Sequence, residues 1–499
     1  MSFGFAVHGD YWIALLPEAV LALTAMVILL GDAFRPARGD PAAWVPTAAG
    51  VGLAAALGLV IWLWGSTGSP DALIAVDGLR GVADLILLVG TALVVAVAGD
   101  YLEREALPAA DFHGLLLLAT VGMMLLVAAR DTILLFVALE LMSVAVYVLT
   151  GYARRDPRSS EAGLKYFLVG AFASAFLLYG IALLYGVTGT TRLAVMGPAV
   201  AAGVAIGDPI LVAGLGMLLI GFAFKIAAVP FHMWTPDAYE GAPTPVTAYM
   251  ATGVKAAAFV ALLRVFTVDL LGASEVWRQP VWWLAMLTMI VPNLIALAQD
   301  SVKRMLAYSS IAHAGYLLIG VVAASELGRS ASLFYLGAYT LMTIGSFAVV
   351  FHVAGKGDRR SLVEDYRGLG WRRPGLAAAL LVFLFALAGF PPTAGFVGKL
   401  ALLQAAVDAG ETALAVTLVM TSLVAYYYYL RVIWKMYFDQ AAEDQEAPGP
   451  ARGGLRVATG ICVLLLLLGG LFPGRVIDRV GDAVSGDGQS LSAVADSSP

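Results

Sequence analysis

Long apolar stretches recur along the whole chain and are separated by short polar segments rich in Gly, Pro, Asp and Arg. Each stretch has roughly 20 residues, the length that an α-helix needs to cross the hydrocarbon core of a bilayer. Hydropathy and turn signals predict about fourteen such spans. Their approximate limits are 11–31, 43–65, 79–99, 113–130, 131–151, 162–187, 209–230, 244–270, 280–299, 303–324, 330–355, 374–402, 411–438 and 453–473. The pattern therefore predicts an all-α polytopic membrane protein.

Composition agrees with this fold class. Of the 499 residues, 60% are hydrophobic and only 13% are charged, whereas a soluble domain is about one quarter charged. The chain has no basic patch with interleaved aromatics, so membrane lipids are the expected surroundings and nucleic acid is not an expected partner. The single cysteine, Cys462, cannot form an internal disulfide or hold an iron–sulfur cluster.

Two of the predicted spans are interrupted. The seventh carries Pro230, and the twelfth carries Gly389, Pro391 and Pro392. Each is the fourth of five consecutive spans, and repeats with an odd number of spans must be inverted, so the sequence predicts two inverted five-helix repeats. The predicted units are an N-terminal three-helix segment at 1–110, repeats at 111–272 and 273–440, and a linker, last transmembrane helix and polar tail at 441–499.

Loop charges predict an orientation. Most loop cations fall in one set of alternate loops, which the positive-inside rule places in the cytoplasm. They include Arg35, Arg38, Arg104, Arg154, Arg155, Arg158, Lys303, Arg304, Lys356, Arg359, Arg360, Arg367, Arg372, Arg373, Arg431, Lys435, Arg452 and Arg456. Single cations such as Arg80, Arg130, Arg192, Arg278 and Arg329 mark the opposite side. Both termini are then predicted to lie on the side opposite the cytoplasm. The acidic loop near Glu443 has no assigned role, and the tail at 480–499 is predicted to be disordered.

Four charged residues lie deep inside apolar runs: Glu140, Lys225, Lys255 and Lys399. A charge in hydrocarbon costs several kcal/mol, so such side chains face a bundle interior or a wet cavity and mark ion or proton paths. Burial disfavours a protonated lysine and a nearby carboxylate favours it. We therefore predict that Glu140 pairs with Lys225 and that changes in their separation load and release a proton. The alternative is a static buried ion pair.

Lys255 and Lys399 have no carboxylate near them in sequence. We predict that Lys255 is a central relay and that Lys399 lies toward the exit, the alternative being snorkelling to an interface. His232 and His313 are candidate bridges between the lysines, because imidazole exchanges protons near neutral pH. His313 is equally compatible with helix packing, and packing is favoured for His352. No histidine pair has the spacing of a metal site.

The remaining polar features are interpreted as structural. Arg264 and Asp269 lie near a helix end and are predicted to be interfacial. Four consecutive aromatic residues, Tyr426, Tyr427, Tyr428 and Tyr429, are typical of an aromatic belt at a membrane surface. The chain lacks a phosphate-binding loop, a dinucleotide fingerprint and a nucleophile triad, so no catalytic or cofactor-binding residues are predicted and redox chemistry is not expected in it.

Residues 225–250 read KIAAVPFHMWTPDAYEGAPTPVTAYM. This segment resembles the signature of the antiporter-like subunits of respiratory complex I, NADH–quinone oxidoreductase, and looks most like the subunit N branch of that family. Three further segments agree with the resemblance: ALELMSVAVYVL, DSVKRMLAYSSIAHAGYLLIG and LAGFPPTAGFVGKL. The similarity covers nearly the whole chain with the same number of spans.

The resemblance implies a membrane-arm subunit between subunits K and M that moves a proton from cytoplasm to periplasm, driven by quinone reduction elsewhere. It implies that Glu140 and Lys225 form the ion pair of the half where protons enter. Lys255 is then the central relay, Lys399 belongs to the half where protons leave, and His232 and His313 match histidines of the same motifs. Flavin, iron–sulfur clusters and quinone are expected in other subunits.

Two alternatives stay open. The sister subunits L and M of that family are similar enough to sodium–proton antiporters for a subunit of a multi-subunit cation/proton antiporter to be the second interpretation. The third is a scaffold subunit whose buried charges serve assembly only. The absence of a long C-terminal lateral helix argues against subunit L.

Overall fold

The computed structural model describes residues 4–5, 11–34, 44–68, 73–203, 207–441, 448–449 and 453–495. Arg35, Arg38, Arg452 and the acidic loop near Glu443 lie outside the described residues. In the described part, two two-residue strands, β1 (Gly4–Phe5) and β2 (Thr67–Gly68), pair in parallel. The rest of the architecture is helical.

The described residues of the first half of the chain form twelve helices. They are α1 (Tyr11–Ala14), α2 (Leu16–Ala33), α3 (Trp44–Trp62), α4 (Gly78–Glu105), α5 (Ala109–Ala128), α6 (Thr132–Thr150), α7 (Pro157–Thr188), α8 (Leu193–Gly203), α9 (Pro209–Lys225), α10 (Thr235–Gly241), α11 (Thr244–Tyr249) and α12 (Lys255–Arg264). Two π-helical segments, Met250–Val254 and Val265–Asp269, join α11 to α12 and extend α12.

The described residues of the second half form nine more helices. They are α13 (Ser274–Ala296), α14 (Val302–Ala323), α15 (Glu326–Ala354), α16 (Leu369–Arg372), α17 (Pro374–Ala388), α18 (Ala394–Asp408), α19 (Thr412–Tyr437), α20 (Gly453–Leu471) and α21 (Pro473–Ala495). Three short 3-10 segments, Leu271–Ala273, Lys356–Asp358 and Val363–Tyr366, lie in the connections.

Among the described residues, 12 helical segments are long and apolar enough to cross a membrane. Two shorter apolar helices, α9 and α17, fall at the two spans predicted to be interrupted. The all-α polytopic membrane fold is therefore confirmed. The total of fourteen spans, the inverted repeat and the division into four units stay predictions.

Both predicted interruptions are present. Helix α9 ends at Lys225 and helix returns only at Thr235, while α17 ends at Ala388 and α18 begins at Ala394. Proline has no N–H to donate and its ring clashes with the preceding turn, so Pro230 cannot continue α9. After α17, Gly389 takes a left-handed conformation with φ of 84°, which glycine adopts without steric cost.

Burial is graded across the bundle. In an 18-residue apolar stretch of each of the segments Thr244–Asp269 and Val302–Ala323, 94% of the residues are buried, against 28% in such a stretch of α2 or α20. The outer helices show large apolar side chains such as Leu23, Val27 and Leu464 on the surface. This is the arrangement expected of a bundle whose rim faces lipid and whose centre is closed.

Charged side chains around the N-terminal end of α4 form a buried network that the sequence did not reveal. The Arg80 guanidinium donates to Glu18 at 2.6 Å and to Asp84 at 3.3 Å. Arg264 makes a forked contact to the two carboxylate oxygens of Asp77, at 2.5 and 2.8 Å. All five side chains except the partly covered Asp77 are buried. The network ties α2, α4 and α12 together.

The prediction that Arg264 is interfacial is therefore wrong. Its guanidinium is 3% exposed and also donates to the Val127 carbonyl at 3.1 Å. Asp269 is paired with Arg130 at 3.4 Å rather than being open to the interface. The reason is that a carboxylate on another helix, Asp77, satisfies the guanidinium inside the protein, a contact that local spacing cannot indicate.

The prediction of a disordered tail is also wrong for the residues described. Helix α21 continues to Ala495 and packs against α4 and α15. Ile477, Val480 and Val484 repeat at helical spacing, and Val480 and Val484 are buried. This narrow apolar stripe is diluted by small polar residues, so the average composition of the tail conceals it.

Candidate functional site

Lys225 lies in an aromatic pocket at the end of α9. Its side chain is buried, and its ammonium donates to the Tyr147 hydroxyl at 3.4 Å. The Nζ atom lies 5.1 Å from the ring centroid of Tyr147 and 5.5 Å from that of Tyr166. Aromatic faces attract a cation, so they replace part of the water that burial removes.

The interruption after α9 completes this pocket. Trp234 stacks on Tyr166 with centroids 4.2 Å apart and planes 7° from parallel. Its indole N–H donates to the Phe224 carbonyl at 3.3 Å, and the same carbonyl, in the last turn of α9, accepts from the Ala227 amide at 3.0 Å. The break therefore folds the chain back over the neighbours of Lys225.

Glu140 is half-buried between α6 and α7 and accepts a hydrogen bond from the Ser174 hydroxyl at 2.5 Å. None of the ion pairs among the described residues joins Glu140 to Lys225, so the predicted direct contact is not made in this conformation. The serine holds the carboxylate while the Tyr147 hydroxyl accepts from the lysine.

The other two histidines considered, His232 and His352, make no described contact with the lysines. His232 is buried just after the break, and its Nδ1 has no hydrogen-bond partner in the described part of the protein. His352 is partly exposed and its Nε2 is 2.9 Å from the Gly449 carbonyl oxygen, which fits the packing interpretation. No described contact joins His232 to Lys225.

Lys255 lies at the centre of the bundle and is 1% exposed. It begins α12 directly after the π-helical segment Met250–Val254, a distortion that often accompanies functional sites. Its ammonium donates to both the carbonyl oxygen and the hydroxyl of Ser310, each at 2.5 Å. These are neutral acceptors, and none of the ion pairs among the described residues includes Lys255.

His313 occupies the space between Lys255 and Lys399. Its Nδ1 is 2.6 Å from the Tyr335 hydroxyl, and its Nε2 is 3.3 Å from the Tyr429 hydroxyl. The Tyr429 hydroxyl also makes a short hydrogen bond with Ser309. Both ring nitrogens are therefore engaged by groups that can donate or accept, as a proton relay requires.

Two tyrosine rings link His313 to the flanking lysines. Tyr339 lies 5.2 Å from the His313 ring and 5.8 Å from the Lys255 ammonium. Tyr316 lies 5.4 Å from the His313 ring and 4.9 Å from the Lys399 ammonium. The structure therefore brings Lys255, His313 and Lys399 into one enclosed polar and aromatic cluster.

Lys399 is positioned by the second interruption. Its ammonium donates to the Ala388 carbonyl at 2.9 Å, the last residue of α17. A helix C-terminus carries partial negative charge and stabilises a cation. Lys399 is 5% exposed, so the snorkelling alternative does not describe its position in the structure.

Lys225 and Glu140 stand apart from this cluster. Ring contacts lead from the Lys225 pocket through Trp234 to Tyr239, 6.3 Å away between centroids. Tyr239 is buried on α10, which packs against α14, the helix that carries Ser310 and His313. The described contacts thus approach the central cluster without a continuous chain of hydrogen bonds.

The prediction of an aromatic belt at 426–429 is wrong for two of its four residues. Tyr428 and Tyr429 are buried and Tyr426 is partly buried, while only Tyr427 is exposed at 62%. The Tyr428 hydroxyl donates to Asn293 at 2.9 Å, and the Tyr426 hydroxyl donates to the Gly389 carbonyl at 3.1 Å. These tyrosines lie eight or more residues before the end of α19. That distance from the helix end was the feature of the sequence that could have indicated a position inside the bundle.

Asp237 and Glu240, in the segment 225–250, contact residues at the start of the segment 300–320, DSVKRMLAYSSIAHAGYLLIG. Asp237 accepts from Arg304 at 3.0 Å and from Lys165 at 3.0 Å, and Glu240 accepts from the Ser301 hydroxyl at 3.0 Å. Burial would raise the pKa of Asp237, but the hydrogen bonds from Lys165 and Arg304 outweigh it and hold that pKa below its usual value. These charges fasten α10 to the start of α14.

Sequence comparison places the chain among known membrane proteins. A family model described as "NADH:quinone oxidoreductase/Mrp antiporter, TM" matches residues 129–425. A subunit N of NADH-quinone oxidoreductase from Trichlorobacter lovleyi is 47% identical over 434 residues, covering 86% of this chain and 88% of the relative. The subunit N from Gemmatimonas aurantiaca is 44% identical over 481 residues, covering 93% and 92%.

Structural comparison agrees. A chain of respiratory complex I from Thermus thermophilus with bound aureothin superposes with a TM-score of 0.79 at 39% identity, covering 93% of this chain and 99% of that chain. A chain of the Mrp complex from a Dietzia species gives a TM-score of 0.80 at 26% identity, covering 94% and 97%. The chain therefore belongs to the NADH:quinone oxidoreductase/Mrp antiporter transmembrane family, and within it to the subunit N group of respiratory complex I.

Proposed function

We propose that this chain, as a membrane-arm subunit of NADH–quinone oxidoreductase, moves protons from cytoplasm to periplasm. The observation that carries the proposal is the enclosed cluster of Lys255, His313 and Lys399, in which the two ammonium groups donate to neutral acceptors and form no ion pair among the described residues. Buried cations without carboxylate partners are costly in a membrane, and such groups characterise ion and proton pathways.

Proton uptake begins at Lys225 in this proposal. In the described conformation Glu140 is held by Ser174 and Lys225 by Tyr147. Approach of the carboxylate would favour the protonated lysine, and withdrawal to Ser174 would favour release. The described conformation corresponds to the separated state, in which Lys225 passes its proton toward the centre.

Proton transfer then runs from Lys255 through His313 to Lys399. His313 accepts on one ring nitrogen and donates from the other, with Tyr335 and Tyr429 hydroxyls as its immediate partners. Lys399, at the C-terminal end of α17, is the last buried cation of the series. His232 supplies a further exchangeable nitrogen at the first break, beside the uptake half.

The remaining features of the proposal concern assembly. The subunit lies between subunits K and M in a bacterial inner membrane, with both termini in the periplasm. Flavin, iron–sulfur clusters and the quinone site belong to other subunits, whose quinone reduction drives the translocation. The complex is a proton-translocating oxidoreductase, and this chain contributes its transport part.

The proposal is tested with Lys225→Ala in the intact complex. We expect the complex to assemble and proton translocation per NADH oxidised to fall severely in sealed vesicles, because the uptake lysine is missing. The matched control is Lys356→Ala, which removes an exposed lysine in the connection after α15. Normal translocation by the assembled Lys225→Ala complex would overturn the role of Lys225, and loss of assembly alone would favour the scaffold alternative.

A cation/proton antiporter subunit is the second candidate. It is supported by the likeness to the Mrp chain at 26% identity. An imposed sodium gradient distinguishes the oxidoreductase subunit from the antiporter subunit. Proton movement that follows NADH oxidation and ignores sodium supports the oxidoreductase, whereas movement driven by sodium without NADH supports the antiporter.

A further inference from the structure

A groove of about 700 Å³ opens on the surface of the bundle between α17 and α20. Its walls are apolar along most of their length and include Leu376, Ala379 and Val382 on α17 and Val463, Leu464 and Leu467 on α20. The proton relay does not use these residues. The groove therefore needs a separate explanation.

Glycines keep the groove open. A Cβ added at Gly375 or at Gly460 would meet no atom within 4 Å, so no neighbouring side chain occupies the space beside either glycine. Arg456 and Leu467 lie eleven residues apart on α20, which corresponds to about 16 Å of helix. This is a slot with the length and polarity of a lipid acyl chain rather than of a small polar ligand.

Positive charge is concentrated at one end of the slot. Arg372, Arg373 and Arg456 all line this end. The Arg373 Nε donates to the Pro448 carbonyl at 2.6 Å, and neither Arg373 nor Arg456 takes part in an ion pair among the described residues. Two guanidinium groups that have no carboxylate partner among the described residues thus lie at one end of an apolar groove.

We infer that this groove binds a phospholipid with an anionic headgroup. The headgroup phosphate contacts Arg373 and Arg456, and an acyl chain lies along the apolar walls past Gly460. Basic pockets between transmembrane helices select anionic lipid headgroups, and guanidinium groups match phosphate geometry. The same end of the groove lies on the side that loop charges assign to the cytoplasm.

The test uses the intact complex reconstituted in lipid nanodiscs of equal parts phosphatidylglycerol and phosphatidylethanolamine. Lipid that stays bound after release from the disc is counted by native mass spectrometry. We expect the unaltered complex to retain phosphatidylglycerol preferentially. The double variant Arg373→Gln, Arg456→Gln should lose this preference by about fivefold per arginine.

Two further variants separate charge from shape. Gly460→Leu keeps both arginines but places a side chain in the open slot, and it should also lower retention of phosphatidylglycerol. Arg475→Gln, which removes an exposed cation outside the groove, is the matched control and should leave retention unchanged.

Three results would overturn the inference. One is equal retention of phosphatidylglycerol by the unaltered complex and by both groove variants. Another is equal retention of the two phospholipids, which would mean that charge does not select the occupant. The third is efficient cross-linking of Gly460→Cys to another protein chain, which would identify a protein as the occupant; Cys462 is buried and gives little background.

Discussion

The three lysines of the candidate relay, Lys225, Lys255 and Lys399, each have a different kind of neutral partner. Lys225 rests on aromatic rings, Lys255 on a serine, and Lys399 on a carbonyl at a helix end. Neutral dipoles stabilise an ammonium less than a carboxylate does, because hydrogen bonds between two charged groups are stronger. The three sites are therefore suited to holding a proton briefly, which a permanent ion pair would prevent.

At the residue scale, Tyr335→Phe tests whether His313 relays protons. The change keeps the ring but removes the hydroxyl that lies 2.6 Å from Nδ1. Loss of one such hydrogen bond costs roughly 0.5–1.5 kcal/mol. We therefore expect proton translocation to slow by about two- to tenfold, measured as acidification of vesicles during NADH oxidation.

Tyr366→Phe is the control for this change. Tyr366 is equally buried, and its hydroxyl has no hydrogen-bond partner in the described part of the chain. It should translocate at the rate of the unaltered complex. Equal rates for the Tyr335 and Tyr366 variants would show that the hydroxyl on His313 does not contribute to the relay.

Sequence alone identified Lys225, Lys255 and Lys399 because lysine inside a long apolar run is conspicuous in a membrane protein. It did not identify Tyr428, Tyr429 or Arg264. Tyrosine and arginine are ordinary at membrane interfaces, so their types carry little information about depth. Their interior positions depend on Asn293, Ser309 and Asp77, which come from distant parts of the chain.

At the scale of elements, proline and glycine signals were sufficient to locate both helix interruptions. The same signals did not show what the interruptions do. The first folds Trp234 over the surroundings of Lys225, and the second presents the Ala388 carbonyl to Lys399. These consequences depend on packing between helices, as does the docking of α21 on α4 and α15.

Asp77→Asn tests the buried network that joins α4 to α12. Asparagine caps a helix about as well as aspartate, so the change mainly removes the charge that Arg264 faces. Breaking a buried ion pair from one side costs about 3–5 kcal/mol. We expect a clear fall in the thermal denaturation midpoint of this subunit in the purified complex.

Asp208→Asn is the matched control, because Asp208 caps α9 and forms no ion pair among the described residues. Its midpoint should stay close to that of the unaltered complex. The double variant Asp77→Asn, Arg264→Gln should lose less than the sum of the two single variants. Additive losses would show that the two side chains do not stabilise each other.

At the scale of the whole molecule, the charges of the candidate relay lie at both helix interruptions and at the bundle centre. Lys225 stands at the first break, Lys399 at the second, and Lys255 and His313 lie in the two most enclosed segments between them. These residues are compatible with two arrangements. Either one proton path runs through both halves of the chain, or each half has a separate path of its own. The two arrangements differ in how the loss of one lysine affects the other.

Combining Lys225→Ala with Lys399→Ala separates the two arrangements. Along one path, blocking either end stops the same proton, so the double variant should translocate no less than the worse single variant. Along two paths, each single variant should keep part of the translocation and the double variant should lose both parts. Protons moved per NADH oxidised give the measurement, with Lys356→Ala as the control. Because ring contacts lead from the Lys225 pocket through Trp234 to Tyr239, on a helix that packs against the helix of His313, we expect the first outcome.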